Sequence, residues 1–339
     1  MNSAIRKNNA KPYYLLFMFV GGVFLAASCS TIDYFSSEKL SHGSKITSNN
    51  EISLITYNIK AIYEKEEDQI DRLMSHVNEK NYDFVIFQEL FDESTRDVII
   101  ERADPNHFST FIARVDYNSF PEFIFQDAGL FMMSSYPRID LSNIEFGDGI
   151  KNSNGVIHMI LDKEMSKTND FLANKSVVGA LFDIADNAKL FLFTTHVQAI
   201  GTLEHKEIQL MQINEFIKSA VMAVLQAGKV KSSSDLAVIL AGDFNSNAYD
   251  QQRFERMKEI LGEPRDLHME FHGDYREHTF RFGSGNASRR FDYILAYDKL
   301  NGIPLRKVKT QSINTIDVKD KEGISISDHL GLKASLKIN

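Results

Sequence analysis

The chain has 339 residues, is 43% hydrophobic and carries a formal charge of -8. That length suits one large α/β or two-sheet domain, or two ordinary ones; with no internal linker, no evident repeat and few prolines, a single domain is expected. Nucleic-acid backbones are held by Lys and Arg, so the acidic balance argues against DNA or RNA as the natural partner, although a whole-chain sum says nothing of a local basic groove.

At the N-terminus Arg6, Lys7 and Lys11 precede an apolar run, Tyr13 to Ser28, that ends in small residues. Its 16 residues fall short of the roughly 20 needed to span a bilayer, so residues 1–28 read as a secretory signal rather than a permanent helix. Cys29 follows at once and is the sole cysteine, which makes an intrachain disulfide impossible. A lone thiol directly after Leu25-Ala26-Ala27-Ser28 is similar to a bacterial lipoprotein processing site, although Ala26 stands where a larger aliphatic is usual. The expectation is an exported chain lipid-anchored through Cys29 at the bacterial envelope (the outer membrane of a Gram-negative cell); the alternative is ordinary secretion. Residues 29–50, rich in Ser, Lys and Asn, read as a flexible tether.

The folded domain is expected over 51–339. ISLITYN alternates and ends on Asn58, predicting a first strand. Ile70, Leu73, Met74 and Val77 follow at helical spacing. YDFVIFQELFD is a second buried strand, with Glu89 at its exit; Glu is a poor turn former, so something other than turn chemistry places it there. After a helix near Ser94–Arg102, HFSTFIARV, AGLFMMSSYP and GVIHMIL read as strands, with a loop over 145–154. His158 lies mid-strand among apolar neighbours and reads as structural. VVGALFDI and KLFLFTTH make a hairpin turning at Asp186-Asn187, and His196 stands at its exit.

A helix over about Leu203–Gln226 leads to the stretch on which the chain is organised, DLAVILAGDFNSN (235–247). Five apolar residues, Leu236 to Leu240, form a strand buried on both faces that stops at Gly242-Asp243-Phe244-Asn245. Such residues end strands anyway; the pattern gains meaning because TYN (56–58), FQE (87–89), TTH (194–196), FDY (291–293) and SDH (327–329) repeat it. An amphipathic helix, YDQQRFERMKEIL, and strands in HTFRF, RRFDYILAY and HLGLKASLKI complete an α/β pattern with more strands than one sheet comfortably holds.

These six motifs, in this order across residues 52–337, resemble the exonuclease–endonuclease–phosphatase superfamily of metal-dependent phosphoesterases. The resemblance implies a deoxyribonuclease-I-like four-layer sandwich, two packed β-sheets with helices outside. FQELFDES (87–94), THVQA (195–199) and the Asp170-to-Lys175 spacing are similar to the bacterial neutral sphingomyelinase branch, sphingomyelinase C. The chain departs from that branch at Ser176 and Ala128, where glycine is usual, and residues 297–327 hold one Tyr, no Phe and no Trp, so the membrane-dipping aromatic hairpin of the secreted enzymes is not expected.

The implied activity is phospholipase-C-type hydrolysis of sphingomyelin to ceramide and phosphocholine by a monomer acting on a phospholipid membrane. Inositol phosphates, other phospholipids or nucleic acid remain alternative substrates, and a non-catalytic surface lipoprotein is the reading from another class. Phosphodiester hydrolysis needs a cation for the phosphoryl oxygens, a base for water and donors for developing charge. Glu89 with Asn58 is a hard-oxygen pair suited to Mg2+, with Mn2+ or Co2+ as substitutes, and Asp328 is a further acid near the metal or water. A single cysteine rules out a thiolate zinc site. His329 is the implied general base, oriented by Asp292. His196 and Asn245 are the implied donors to phosphoryl oxygens, and Asp243 the group positioning nucleophile or leaving group. Lys175 either approaches the phosphate or pairs with Asp170.

Overall fold

A computed structural model describes residues 50–113, 127–164, 169–273, 277–281 and 288–339. The expected signal segment, Cys29 and nearly all of the tether lie outside the described residues, as does the end of the HFSTFIARV strand.

In chain order the elements are β1 (Glu51–Ala61), α1 (Glu67–Lys80), β2 (Phe84–Leu90), α2 (Glu93–Arg102), β3 (Thr110–Ile112), β4 (Phe131–Ser134), β5 (Lys151–Ser153), β6 (Val156–Ile160), β7 (Ser176–Ala185) and β8 (Ala188–His196). Then come α3 (Leu203–Gln226), β9 (Leu236–Asp243), α4 (Gln251–Ile260), β10 (Arg265–Asp266), α5 (Leu267–His272), β11 (Phe280–Arg281), β12 (Ser288–Arg289), β13 (Asp292–Tyr297), β14 (Lys299–Leu300), β15 (Ile303–Pro304), β16 (Val308–Ile316) and β17 (Gly331–Ile338). One sheet runs β16-β17-β1-β2-β4-β3 and the other β10-β13-β9-β8-β7-β6-β5.

The continuous apolar runs explain the layering. In β9, Ile239 and Ala241 face the other sheet, in one cluster with Leu54 and Ile86 of that sheet and with Leu192 and Ile294 of their own. Val238 and Leu240 face outward into a cluster with Ile213, Phe216, Ile217 and Ala220 of α3 and Phe254 and Met257 of α4. On the far side Ile55, Tyr57, Val85 and Phe87 pack against Ile70, Leu73, Met74 and Val77 of α1 and Ile99 of α2. Helix, sheet, sheet and helix are therefore four layers, and a strand needs apolar residues on both faces to sit between them. Each Val, Leu, Ile, Phe or Met among them contributes about 1.5–3 kcal/mol by leaving water.

Three local expectations need correction. β1 continues past Asn58 to Ala61, with a register irregularity between Asn58 and Ala61 where it pairs with β2. The expected loop at 145–154 contains the short strand β5, paired with β6. β16 has no counterpart in the sequence reading, because VKTQSINTI is a polar edge strand with few residues buried.

Candidate active site

Strand direction brings the polar motifs to one edge. β1 and β2 are parallel, with Asn58 opposite Gln88 and Glu89 next in line. β8 and β9 are parallel as well, with His196 opposite Asp243. β13 runs antiparallel to β9 and begins at Asp292, which also stands opposite Asp243. His329 precedes β17, which pairs with β1 near Thr56. Two different sheets thus deliver their functional ends to one cleft.

Local backbone choices make this fit. Gly242 has φ 147°, and a Cβ there would come 2.1 Å from the Thr195 carbonyl oxygen, so β8 and β9 approach too closely for any side chain. Lys60, Glu89 and Asn245 have φ of 51°, 54° and 47°. Left-handed conformations cost non-glycine residues about 1–3 kcal/mol and cluster at functional sites. At Glu89 this is the departure from strand geometry that turn chemistry alone did not account for.

The buried amide of Asn58 joins the two sheets: Nδ2 donates to Glu89 Oε1 at 2.9 Å and to Asp243 Oδ2 at 3.0 Å. Its Oδ1 accepts from the Lys60 amide at 3.2 Å, so Asn58 acts here as a donor between two carboxylates. Asp243 Oδ1 accepts from the Asn245 amide at 2.8 Å, and Asn245 Nδ2 donates to the Val197 carbonyl at 2.9 Å. His196 Nε2 lies 3.6 Å from Glu89 and 3.8 Å from Asp243, and neither ring nitrogen has a hydrogen-bond partner among the described residues. Burial first, then the charges of Lys175 and His329, hold the His196 imidazole well below its ordinary range, so it is neutral at pH 7.

His329 Nδ1 lies 2.9 Å from Asp292 Oδ2, and Nε2 lies 3.7 Å from Asp243. Burial would lower its pKa, but the carboxylates of Asp292, Asp243 and Asp328 outweigh that and raise it to about 10. Asp243 is pushed up to about 7 by burial and by the Asp292 carboxylate, against the pull of His329, Asn245 and Asn58. Glu89, His196 and Asp243 each offer a ligand atom within 4.8 Å of the others, as do Asp243, Asp292 and His329. Crowded carboxylates and an orphaned neutral imidazole fit a divalent cation: hard oxygens for the ion, a nitrogen lone pair beside it.

The remaining predicted residues sit around this centre. Asp328 is at the rim, paired with Lys60 Nζ at 2.5 Å. Lys175 takes the second of its two expected options: it is buried and pairs with Asp170 at 2.9 Å, while Asp170 Oδ2 also accepts from the Ile200 amide. Ser176 begins β7 without a positive φ and Ala128 is buried in the inter-sheet core, so neither substitution strains the backbone.

Several positioning groups were not found from sequence. Ser327 Oγ donates to the Asn58 carbonyl at 2.7 Å and accepts from the His329 amide. Thr279 Oγ1 accepts from the amides of Phe291 and Asp292, and its carbonyl accepts from the Leu330 amide. Lys206 Nζ donates to the Asn245 carbonyl at 3.0 Å. Gln88 bridges the sheets beneath the cleft, donating to Thr56 Oγ1 at 3.0 Å and reaching Thr194 at 3.4 Å. Only Gln88 and Ser327 carried a signal, their place inside FQE and SDH; the others become visible only in three dimensions.

No family model and no curated protein sequence matches the chain. Among solved structures it is similar to beta toxin from Staphylococcus aureus, at 19% identity and TM-score 0.59, over 84% of this chain and 99% of that one. Sphingomyelinase C from Streptomyces griseocarneus matches at 16% identity and TM-score 0.57, over 84% and 99%. TDP2 from D. rerio, complexed with single-strand DNA product, matches at 16% identity and TM-score 0.55, over 85% and 100%. A beta toxin variant among these structures carries bound magnesium ions. The fold is therefore the deoxyribonuclease-I-like four-layer sandwich, and beta toxin, sphingomyelinase C and TDP2 share it.

Proposed function

We propose that the chain is a metal-dependent phosphodiesterase of the phospholipase C type, cleaving sphingomyelin to ceramide and phosphocholine. The observation that supports it most is the convergence of Asn58, Glu89, His196, Asp243 and the Asp292–His329 pair at one edge of two sheets. Glu89 and Asp243, whose ligand atoms lie within 4.8 Å of each other, are the carboxylates that would hold Mg2+, with Mn2+ or Co2+ as substitutes. When bound there, such a cation would supply positive charge to the phosphoryl oxygens and would favour the neutral form of the His329 imidazole.

His329 takes the proton of the attacking water at Nε2 while Asp292 fixes the ring through Nδ1. His196, neutral and without a hydrogen-bond partner among the described residues, meets a phosphoryl oxygen. Asn245, held by Val197 and Lys206, places its own backbone beside Asp243. A cleft of about 800 Å³ opens beyond Asn245, with Val197, Lys206, Phe244 and Arg253 in its lining, and offers room for a head group.

Lipid is preferred over nucleic acid on charge: the chain is at -8, and removal of residues 1–28 takes away three basic residues and no acidic ones. Attachment is proposed through lipid on Cys29, which agrees with residues 297–327 holding one Tyr, no Phe and no Trp. No helix among the described residues is long and apolar enough to cross a membrane. A Cys29→Ser chain recovered in the soluble fraction with its activity intact supports the anchor; wild type released with another N-terminus refutes it.

The decisive assay sets the purified chain with Mg2+ against sphingomyelin, phosphatidylcholine, phosphoinositides and DNA. Release of phosphocholine from sphingomyelin well above the other arms supports the reading. Preference for phosphoinositides or DNA replaces the substrate, and no turnover on any of them overturns the enzyme.

A further inference from the structure

We propose that His268, His272 and Glu277 form a second metal site, taking a borderline divalent cation of the Zn2+ class, separate from the carboxylate-rich cleft. The proposal does not rest on the sphingomyelin reading. His268 and His272 are four residues apart on α5, a spacing that puts both rings on one side of a helix, and their centroids lie 4.5 Å apart. One nitrogen of each and an oxygen of Glu277 all lie within 4.8 Å of one another. Two ligands of a tetrahedral Zn2+ stand about 3.4 Å apart, and His268 Nε2 is already 3.2 Å from Glu277 Oε2.

Two further observations point to a ligand. The His268 side chain is fully buried, and Nε2, the nitrogen that faces Glu277, is the one turned toward the shared site. His272 Nε2 lies 2.7 Å from the Ile313 carbonyl oxygen, which can only accept, so this nitrogen carries the proton and Nδ1 keeps its lone pair. A carbonyl that accepts from the other ring nitrogen, and so fixes the tautomer, is what a metal-binding imidazole normally has. Two imidazoles and one carboxylate favour Zn2+, Co2+ or Ni2+ over Mg2+, which prefers all-oxygen surroundings. Glu277 is 38% exposed, which gives the ion a way in.

The site has something to hold in place. Glu277 lies two residues before Thr279, whose side chain accepts from the Asp292 amide and whose carbonyl accepts from the Leu330 amide. Phe280 packs edge-on against the His329 ring at 4.9 Å. An ion bridging α5 to Glu277 would tie down the segment that supports both members of the Asp292–His329 pair.

The test is equilibrium dialysis of the full-length chain against Zn2+ with excess Mg2+ held constant, together with thermal unfolding. Wild type and Glu89→Gln should each bind one more Zn2+ than Glu277→Gln and His272→Ala. Zn2+ should raise the unfolding temperature of the first two only. Glu277→Gln, altering an exposed carboxylate, guards against a folding defect in the histidine variant. Its Zn2+ affinity at this site should fall by more than the roughly 10–100-fold that removal of an outer-shell partner costs. Equal Zn2+ stoichiometry in all four chains overturns the proposal. So does loss of the extra ion in Glu89→Gln alone, which would place it at the cleft.

Discussion

His329 and Asp292 meet at 2.9 Å between Nδ1 and Oδ2, from segments 37 residues apart, with both side chains buried. The contact leaves Nε2 as the nitrogen facing Asp243 and the cleft. Asp292→Asn keeps the size but can present an NH2 group to Nδ1, favouring the wrong tautomer. Turnover should then fall by about 10²–10⁴, the usual contribution of positioned acid–base catalysis, with little change in KM. His329→Ala should lose as much, and the double variant no more than either single one. Additive losses would mean that the two residues do not act as a unit.

At Glu89 the side chain and the backbone make separable predictions. Chelator should abolish turnover and Mg2+ restore it, and Glu89→Gln should fold normally while losing most activity. Because φ is 54°, Glu89→Gly should be more stable than Glu89→Ala by about 1 kcal/mol, although both remove the carboxylate that accepts from Asn58. Denaturant midpoints decide it. An alanine variant as stable as the glycine one would show that the left-handed backbone carries no strain.

The Lys175–Asp170 pair shields an ammonium whose side chain is 1% exposed. Removing one partner of a buried pair typically costs about 3–5 kcal/mol. Asp170 keeps contact with solvent and with the Ile200 amide, so Lys175→Met should cost less than Asp170→Asn, which strands a buried cation. Lys175→Met with Asp170→Asn should recover part of the loss. A double variant no better than the sum of the single ones would remove the ion pair from the account of stability.

The fold was largely legible because its layers demand it. LAVIL and FVIF can be buried on both faces only between a sheet and a helix, and α3 spans Leu203–Gln226 as its apolar spacing indicates. The hairpin of β7 and β8 turns at Asp186-Asn187 as read. β16 was not legible: an edge strand needs backbone partners more than apolar side chains, and VKTQSINTI has few of the latter. Within the site, residues ending buried strands stood out, since polar groups there interrupt an apolar pattern. Thr279 and Lys206 did not, because each acts on a backbone group distant in sequence. The His268-His272 spacing was present in the sequence but gained meaning only once Glu277 was seen beside it.

Away from the cleft, His76 gives a pH dependence of stability that can be signed in advance. It lies on α1, with Nε2 3.1 Å from the Tyr82 hydroxyl and the two rings 5.9 Å apart. Burial first, and then the positive charges of Lys333 on β17 and Lys80 on its own helix, lower its pKa from 6.5; Glu79 acts in the opposite sense. The unfolded chain therefore takes up a proton more readily than the folded one. The stability that His76 contributes is present above about pH 6.5 and is lost as pH falls below it, through the lower folded-state value. His76→Gln retains a polar side chain that cannot titrate. Urea midpoints measured from about pH 7.5 to about pH 5 should fall more steeply for wild type than for His76→Gln, with the curves converging toward the acid end. If the two curves stay parallel, His76 is protonated equally in both states and the burial of its ring has no consequence for acid stability.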